Sequence, residues 1–312
     1  MMGMFGDIFL LLVGLGLVVY GSDILVDGSS AIARKSGVSE FVIGLTIVGF
    51  GTSMPEMVVS LTGAFEGSAD ISIGNIVGSN TLNALLVLGS AALITPIAVS
   101  RLNLTRDIPI FFGITLFFVL LTTKGYLNWI DGLMLLAVFT AYLIMCFKTG
   151  KVEYEEAPKR EISLPWAIVM VLGGLAGLVI GGRMFVDHSV KFAQEVGVSE
   201  KFIAITLLAG GTSMPELVTT IVAAIKKKGQ LALGTIIGSN LFNILFVLGV
   251  ASLVTRLGTG TMGWVDFGAL LGSTVLVALC AYIGKTARIN RFEGALMALG
   301  YIAYIGWLIY TI

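Results

Sequence analysis

Charge is scarce in this sequence, and so are the side chains that carry most enzymatic and transition-metal chemistry. Only 12% of the 312 residues are Asp, Glu, Lys or Arg, about half the share of an ordinary soluble domain. There is one histidine, His188, and there are two cysteines, Cys146 and Cys280, both within apolar runs. Without a CxxC or a Cys/His cluster, neither a disulfide framework nor a zinc site is expected. An intramembrane hydrolase needs an activated nucleophile or a metal-binding histidine motif, and neither is visible, so an enzyme is not expected. Lys+Arg and Asp+Glu both number 19, so no basic excess points to nucleic acid.

Apolar sequence is what the chain has in quantity: 56% of it is hydrophobic, with 40 glycines. A helix needs about 20 predominantly apolar residues to cross a bilayer. The runs predict an all-α polytopic membrane protein with ten transmembrane helices, at 8–26, 41–65, 71–95, 107–123, 130–147, 165–186, 201–225, 230–254, 263–284 and 292–311. Trp129, Trp166 and Trp264 fall at span ends, the position of the interfacial aromatic belt. With the N-terminus outside, the inside loops collect Arg34, Lys35, Arg101, Arg106, Lys148, Lys151, Lys159, Arg160, Lys226, Lys227, Lys228, Lys285, Arg288 and Arg291. The outside loops keep only Lys124, Arg183, Lys191, Lys201 and Arg256. The excess of inside Lys and Arg predicts a multi-pass cell-membrane protein with both termini outside.

The longest polar stretch, 148–164, reads as a short cytoplasmic linker between two five-helix repeats, 1–147 and 165–312. The halves match at a constant offset. Gly37-Val38-Ser39-Glu40 recurs as Gly197-Val198-Ser199-Glu200, Thr52–Glu56 as Thr212–Glu216, Gly78-Ser79-Asn80 as Gly238-Ser239-Asn240, and Val87-Leu88-Gly89 as Val247-Leu248-Gly249. Five spans is an odd number, so the second copy enters the membrane upside down. Inverted repeats with interrupted helices are a secondary-transporter plan, with the site at mid-membrane where the repeats meet.

The repeated words carry the chemistry. Glu56 is the only charge between Phe41 and Phe65, and an ionisable group deep in hydrocarbon costs roughly 2.5–3.5 kcal/mol on insertion scales. On a helix Thr52, Ser53 and Glu56 share a face. Pro55 removes a backbone donor and opens the helix, and Gly49 and Gly51 ease the turn. Ala209, Gly210, Gly211, Thr212, Ser213, Pro215 and Glu216 repeat the arrangement. In the following span Asn75, Ser79 and Asn83 form a polar stripe, with Gly74 and Gly78 suited to close helix packing. The second copy has Thr235, Ser239 and Asn243 with Gly234 and Gly238. Asn80 and Asn240 point away from the stripe and are expected to serve packing.

All of these are oxygen donors, which suit Ca²⁺ and, by the same preference for hard ligands, Na⁺. Two carboxylates balance one Ca²⁺, two Na⁺ or two protons. The plain alternative is a structural pair of glutamates bonded across the repeat interface. Two symmetry-related copies, each in a Pro-broken polar turn, favour the ion site. His188 is expected to be interfacial or a packing residue. Asp23, Asp27, Arg183 and Asp187 are expected at solvated span ends, and Glu66 and Asp70 flank an outside turn.

At these motifs the sequence resembles the calcium/cation antiporter superfamily, and within it the prokaryotic sodium/calcium exchangers. The motifs are G-T-S-x-P-E followed by G-[NT]-x-x-G-S-N in both halves. The resemblance implies Ca²⁺ and Na⁺ as transported ligands, with no cofactor and no obligatory protein partner. It implies metal ligands at Thr52, Ser53, Glu56, Ser79 and Asn83, then Thr212, Ser213, Glu216, Ser239 and Asn243, with backbone carbonyls near Gly49 and Ala209. Some relatives, the potassium-dependent exchangers among them, carry Asp where this chain has Asn243, which argues against K⁺ co-transport. The acidic-His pair typical of proton/calcium relatives is missing too, yet Ca²⁺/H⁺ exchange through the same two glutamates stays open. A passive cation channel fits the inverted, broken helices less well.

Overall fold

Helices in hydrocarbon gain nothing from burying apolar surface against one another, so close backbone approach and interhelical hydrogen bonds must hold them together. The computed structural model describes residues 2–66, 69–150, 162–195, 209–260, 262–283 and 288–311. It is an all-helical polytopic membrane fold. In chain order its helices are α1 (Met2–Ser36), α2 (Glu40–Thr52), α3 (Met54–Phe65), α4 (Ser72–Ile94), α5 (Asn103–Thr122), α6 (Trp129–Thr149), α7 (Leu164–Glu195), α8 (Met214–Ile225), α9 (Gly229–Val254), α10 (Trp264–Ile283) and α11 (Arg291–Thr311). Among the described residues eight helices are long and apolar enough to cross a membrane, or nine if the bent pair α2 and α3 is one span. Residues 196–208, the start of the seventh expected span and the repeat word at 197–200, lie outside the described residues. So does 151–161, most of the expected linker.

The longest helices, α1 and α7, cross antiparallel along a glycine seam. Gly14, Gly21 and Gly28 recur every seven residues and face Gly181, Gly174 and Ala167 in turn. A Cβ on Gly21 would lie 2.9 Å from the Gly174 carbonyl oxygen, and one on Gly181 would lie 2.7 Å from that of Gly14. Both helices outrun their predicted spans because their polar ends find partners. Lys226 Nζ lies 2.8 Å from carboxylate oxygens of both Asp23 and Asp27, and burial, which opposes the ammonium, is outweighed by these two carboxylates, so its pKa is raised. At the other end of the seam His188 Nδ1 is 2.6 Å from Asp7 Oδ1. Asp23 and Asp27 are ion-paired yet still half-exposed, as expected of solvated ends, and the exposed Arg183 sits 3.9 Å from Asp187.

Two short antiparallel ribbons tie the first half of the chain to the second. Strand β1 (Ile97–Ala98) pairs with β4 (Arg288–Ile289), and β2 (Tyr126–Leu127) pairs with β3 (Leu257–Gly258). Trp129, Trp166 and Trp264 are all exposed at helix starts, as the belt reading expects.

Gly21→Leu forces a side chain into the α7 backbone and should destabilise by ~1–3 kcal/mol, the usual cost of overpacking. Gly16 faces open space within 4 Å, so Gly16→Leu should be tolerated. Thermal unfolding of the two variants in detergent separates them; equal midpoints would contradict the seam.

Candidate functional site

The break in the second span falls at Ser53, two residues before the proline. α2 ends at Thr52, Ser53 leaves helical geometry at φ −83°, ψ 9°, and α3 starts at Met54 with an axis turned by 50°. Pro55 then occupies the first turn of α3, where its missing N–H has no partner to lose. Glu56 lies in the same first turn, so its carboxylate sits at the positive end of the helix dipole beside unpaired backbone donors. The second copy repeats this. Ser213 has φ −89° and ψ 7°, and Glu216 lies in the first turn of α8 behind Pro215.

The two breaks face each other. Ser53 Oγ donates to Glu216 Oε1 at 2.8 Å, and Ser213 Oγ donates to Glu56 Oε1 at 2.9 Å. Both glutamates are fully buried. Among the described residues neither carboxylate meets a basic side chain within 4 Å, and each keeps its second oxygen, Oε2, buried without a partner. The helix is interrupted at Ser53, and Thr52, Ser53 and Glu56 all meet groups from the other half. Thr52 Oγ1 turns to the Gly49 carbonyl at 3.4 Å and to Ser239 Oγ at 3.4 Å.

Span-long helices α4 and α9 bring the polar stripes to the breaks. Glycines let α9 reach α2: a Cβ on Gly234 would be 2.1 Å from the Phe41 carbonyl oxygen, and one on Gly238 would be 2.2 Å from that of Leu45. This contact places Ser239 Oγ where it donates to the Gly49 carbonyl at 3.2 Å. The Gly49 carbonyl also accepts from Ser53 N. Gly78 meets no described atom within 4 Å, and its counterpart of Phe41–Leu45 lies at 201–205, outside the described residues.

Among the described residues, Ser79 Oγ, both polar atoms of Asn83, Thr212 Oγ1 and Asn243 Oδ1 are buried and unpartnered. Ala209 opens a short helical turn, Ala209–Gly211, just before the second break. Asn75 and Thr235 complete their stripes in sequence only: Asn75 bonds to the Glu56 carbonyl and Ser60, and Thr235 bonds back to Leu231.

Two features escaped the sequence. Asn83 begins a π-helical segment, Asn83–Val87, and Asn243 lies in another, Phe242–Val247. Such single-turn bulges recur at functional sites, but no residue pattern announces them. Asn80 and Asn240 were expected merely to pack. Instead Asn80 Nδ2 donates to the Asn240 carbonyl at 3.0 Å, Asn240 Nδ2 donates to the Asn80 carbonyl at 3.3 Å, and Asn80 Oδ1 accepts from Asn243 Nδ2 at 3.0 Å. The signal available was their position beside the stripe residues in two matching words.

These elements define a polytopic membrane protein with an acidic, oxygen-rich polar cluster buried among broken helices. The chain matches the family described as sodium/calcium exchanger protein over residues 7–148 and 166–310, and it belongs to that family. It is 33% identical over 352 residues to the sodium/calcium exchanger MaX1 of Methanosarcina acetivorans, covering 97% of this chain and 99% of that one. It is 39% identical over 295 residues to the membrane protein MJ0091 of Methanocaldococcus jannaschii, covering 94% and 95%. Its structure is similar to that of the sodium-calcium exchanger NCX_Mj in crystals soaked with zero Na⁺ and Ca²⁺. The TM-score is 0.86 at 37% identity, over 97% of this chain and 98% of that chain.

Ser53→Ala and Ser213→Ala each take a hydroxyl from a buried carboxylate. Each should lower stability by ~1.5–3 kcal/mol, the range for a hydrogen bond to a charged group. Unfolding midpoints in detergent should fall by similar amounts, and a marked difference between the two would refute their equivalence.

Proposed function

We propose that this chain is a secondary antiporter that exchanges Ca²⁺ for Na⁺ by alternating access, with cations bound mid-membrane between two inverted five-helix repeats. The observation that carries the reading is the facing pair Glu56 and Glu216, buried without a described basic partner and each bonded to a serine of the other half. The cation shell is drawn from Glu56, Glu216, Thr52, Ser53, Ser79, Asn83, Thr212, Ser213, Ser239 and Asn243, with the carbonyls of Gly49 and Ala209. The unpartnered oxygens among them are the hard donors that Ca²⁺ takes six to eight of. The Gly49 carbonyl joins when the Ser239 and Thr52 hydroxyls turn away from it.

The repeat reading, with 1–147 and 165–312 as halves around 148–164, is supported by contacts that come in exchange-related pairs. Gly14 with Gly181 matches Gly21 with Gly174, and Ser53 with Glu216 matches Ser213 with Glu56. The expected inside loops share one face, as ten spans with both termini on the other side require. There β1 meets β4, and Lys228 pairs with Glu40.

One exchange pair is incomplete, which supports two alternating states. Lys226 holds Asp23 and Asp27 on the inside face. The repeat counterparts of Lys226 and Asp23 are Glu66 and Arg183, with the charges swapped, and no ion pair joins these two described residues. When the halves exchange conformations, Glu66 and Arg183 meet outside as Lys226 releases Asp23 and Asp27. Movement past a fixed site is the way inverted-repeat carriers work.

Proteoliposomes loaded with Na⁺ should take up radioactive Ca²⁺ on dilution into Na⁺-free medium, and Glu56→Gln and Glu216→Gln should each abolish the uptake. A pH gradient alone should drive none; uptake under that gradient would turn the reading to Ca²⁺/H⁺ exchange through the same glutamates. A Glu66→Cys/Arg183→Cys pair should be bridged by a short thiol cross-linker and arrest exchange. Failure to cross-link under every ion condition would count against the second state.

A further inference from the structure

Resting on the ion-site reading above, we propose that Asn80 is a positioning residue that makes Asn243 present its oxygen, and not its amino group, to the cation chamber. A carboxamide has an acceptor end and a donor end of nearly the same shape, and the donor end repels a cation. An asparagine therefore serves as a cation ligand only if something settles which way it faces.

The settling group is a backbone carbonyl. Asn240 O accepts only, so the Asn80 atom 3.0 Å from it is Nδ2, and Asn80 Oδ1 is left as the other end of that amide. That oxygen in turn accepts only, so the Asn243 atom 3.0 Å away is Nδ2. The remaining end of Asn243 is Oδ1, buried and without a partner. It lies on the helix stripe shared with Ser239, whose hydroxyl already touches Thr52 and Gly49. All three asparagines are fully buried.

The related pair in the other half is not formed. Asn240 Nδ2 is committed to the Asn80 carbonyl, and Asn240 Oδ1 and both polar ends of Asn83 lack partners among the described residues. In this conformation Asn243 is oriented and Asn83 is not, so the two amides of the chamber are unequal ligands. A carboxylate at 243 needs no such orienting, having two equivalent acceptor oxygens.

A double-mutant cycle in proteoliposomes tests this through Na⁺-driven Ca²⁺ uptake. Asn80→Ala should raise the apparent KM for cations about tenfold, the scale of a buried polar group set wrongly, with maximal rate within about twofold. In the Asn243→Asp background the same substitution should leave KM within about twofold, because coupling of this kind is confined to contacting residues. Asn80→Asp keeps the acceptor for Asn243 and loses the donor to Asn240, and should retain the wild-type KM. A similar KM rise from Asn80→Ala in both backgrounds, or Asn80→Asp behaving like Asn80→Ala, would mean that Asn80 merely holds the helices together. Wild-type protein without Na⁺-driven uptake would instead defeat the exchange reading, with the orientation of Asn243 then read from Ca²⁺-induced thermal stabilisation of the same variants.

Discussion

Two carboxylates buried in an apolar bundle with no described basic partner are the constraint that the rest of the structure answers. Charge cannot be left bare in such surroundings, where desolvation costs several kcal/mol per ion. Helix geometry supplies part of the answer. Each glutamate stands in the first turn of a helix that starts inside the bundle, so unpaired backbone donors and the dipole favour its charge. A serine from the opposite break supplies one charge-assisted hydrogen bond to each. Among the described residues the arrangement still leaves one oxygen of each carboxylate without a partner, which is the unsatisfied acceptor that the proposed cation would meet.

Placing the breaks in contact demands an unusually tight bundle. Where α9 passes α2, any side chain at Gly234 or Gly238 would strike backbone carbonyls. Along α1 and α7 the heptad-spaced glycines do the same for the outer pair of long helices. Packing of this kind has few intermediate positions, because backbones in contact slide or separate as units. The Lys226 ion pairs at one end of the seam and the unmade Glu66–Arg183 pair near the other fit a device with two resting places. Each surface ion pair contributes only ~0–1 kcal/mol, which suits a bias between states better than a permanent clamp.

Much of this was legible in residue order. Thr52–Glu56 and Thr212–Glu216 announced themselves because a carboxylate and a proline are costly in an apolar span, and a costly feature that appears twice at one offset has to be functional or paired. The family followed from the same words. Less legible was what each hydroxyl touches. A helix face predicts neighbours three and four residues away, but it says nothing of the other half, where Thr52 meets Ser239, Ser53 meets Glu216 and Glu56 meets Ser213. Asn80 was misjudged for a related reason: its angle around the helix points away from the stripe, yet α9 lies close enough for its amide to bridge to Asn240 and Asn243.

Residue order by itself determined the membrane class, the two matching halves and the acidic, oxygen-rich character of the candidate site, since each depends on composition and spacing within single segments. Tertiary structure alone decided that the glutamates exchange serines across the halves, that π-helical turns carry Asn83 and Asn243, and that one of these amides is oriented while the other is not. Those outcomes depend on distances between helices far apart in the chain, and a close-packed bundle sets such distances through its glycine contacts and not through any local pattern.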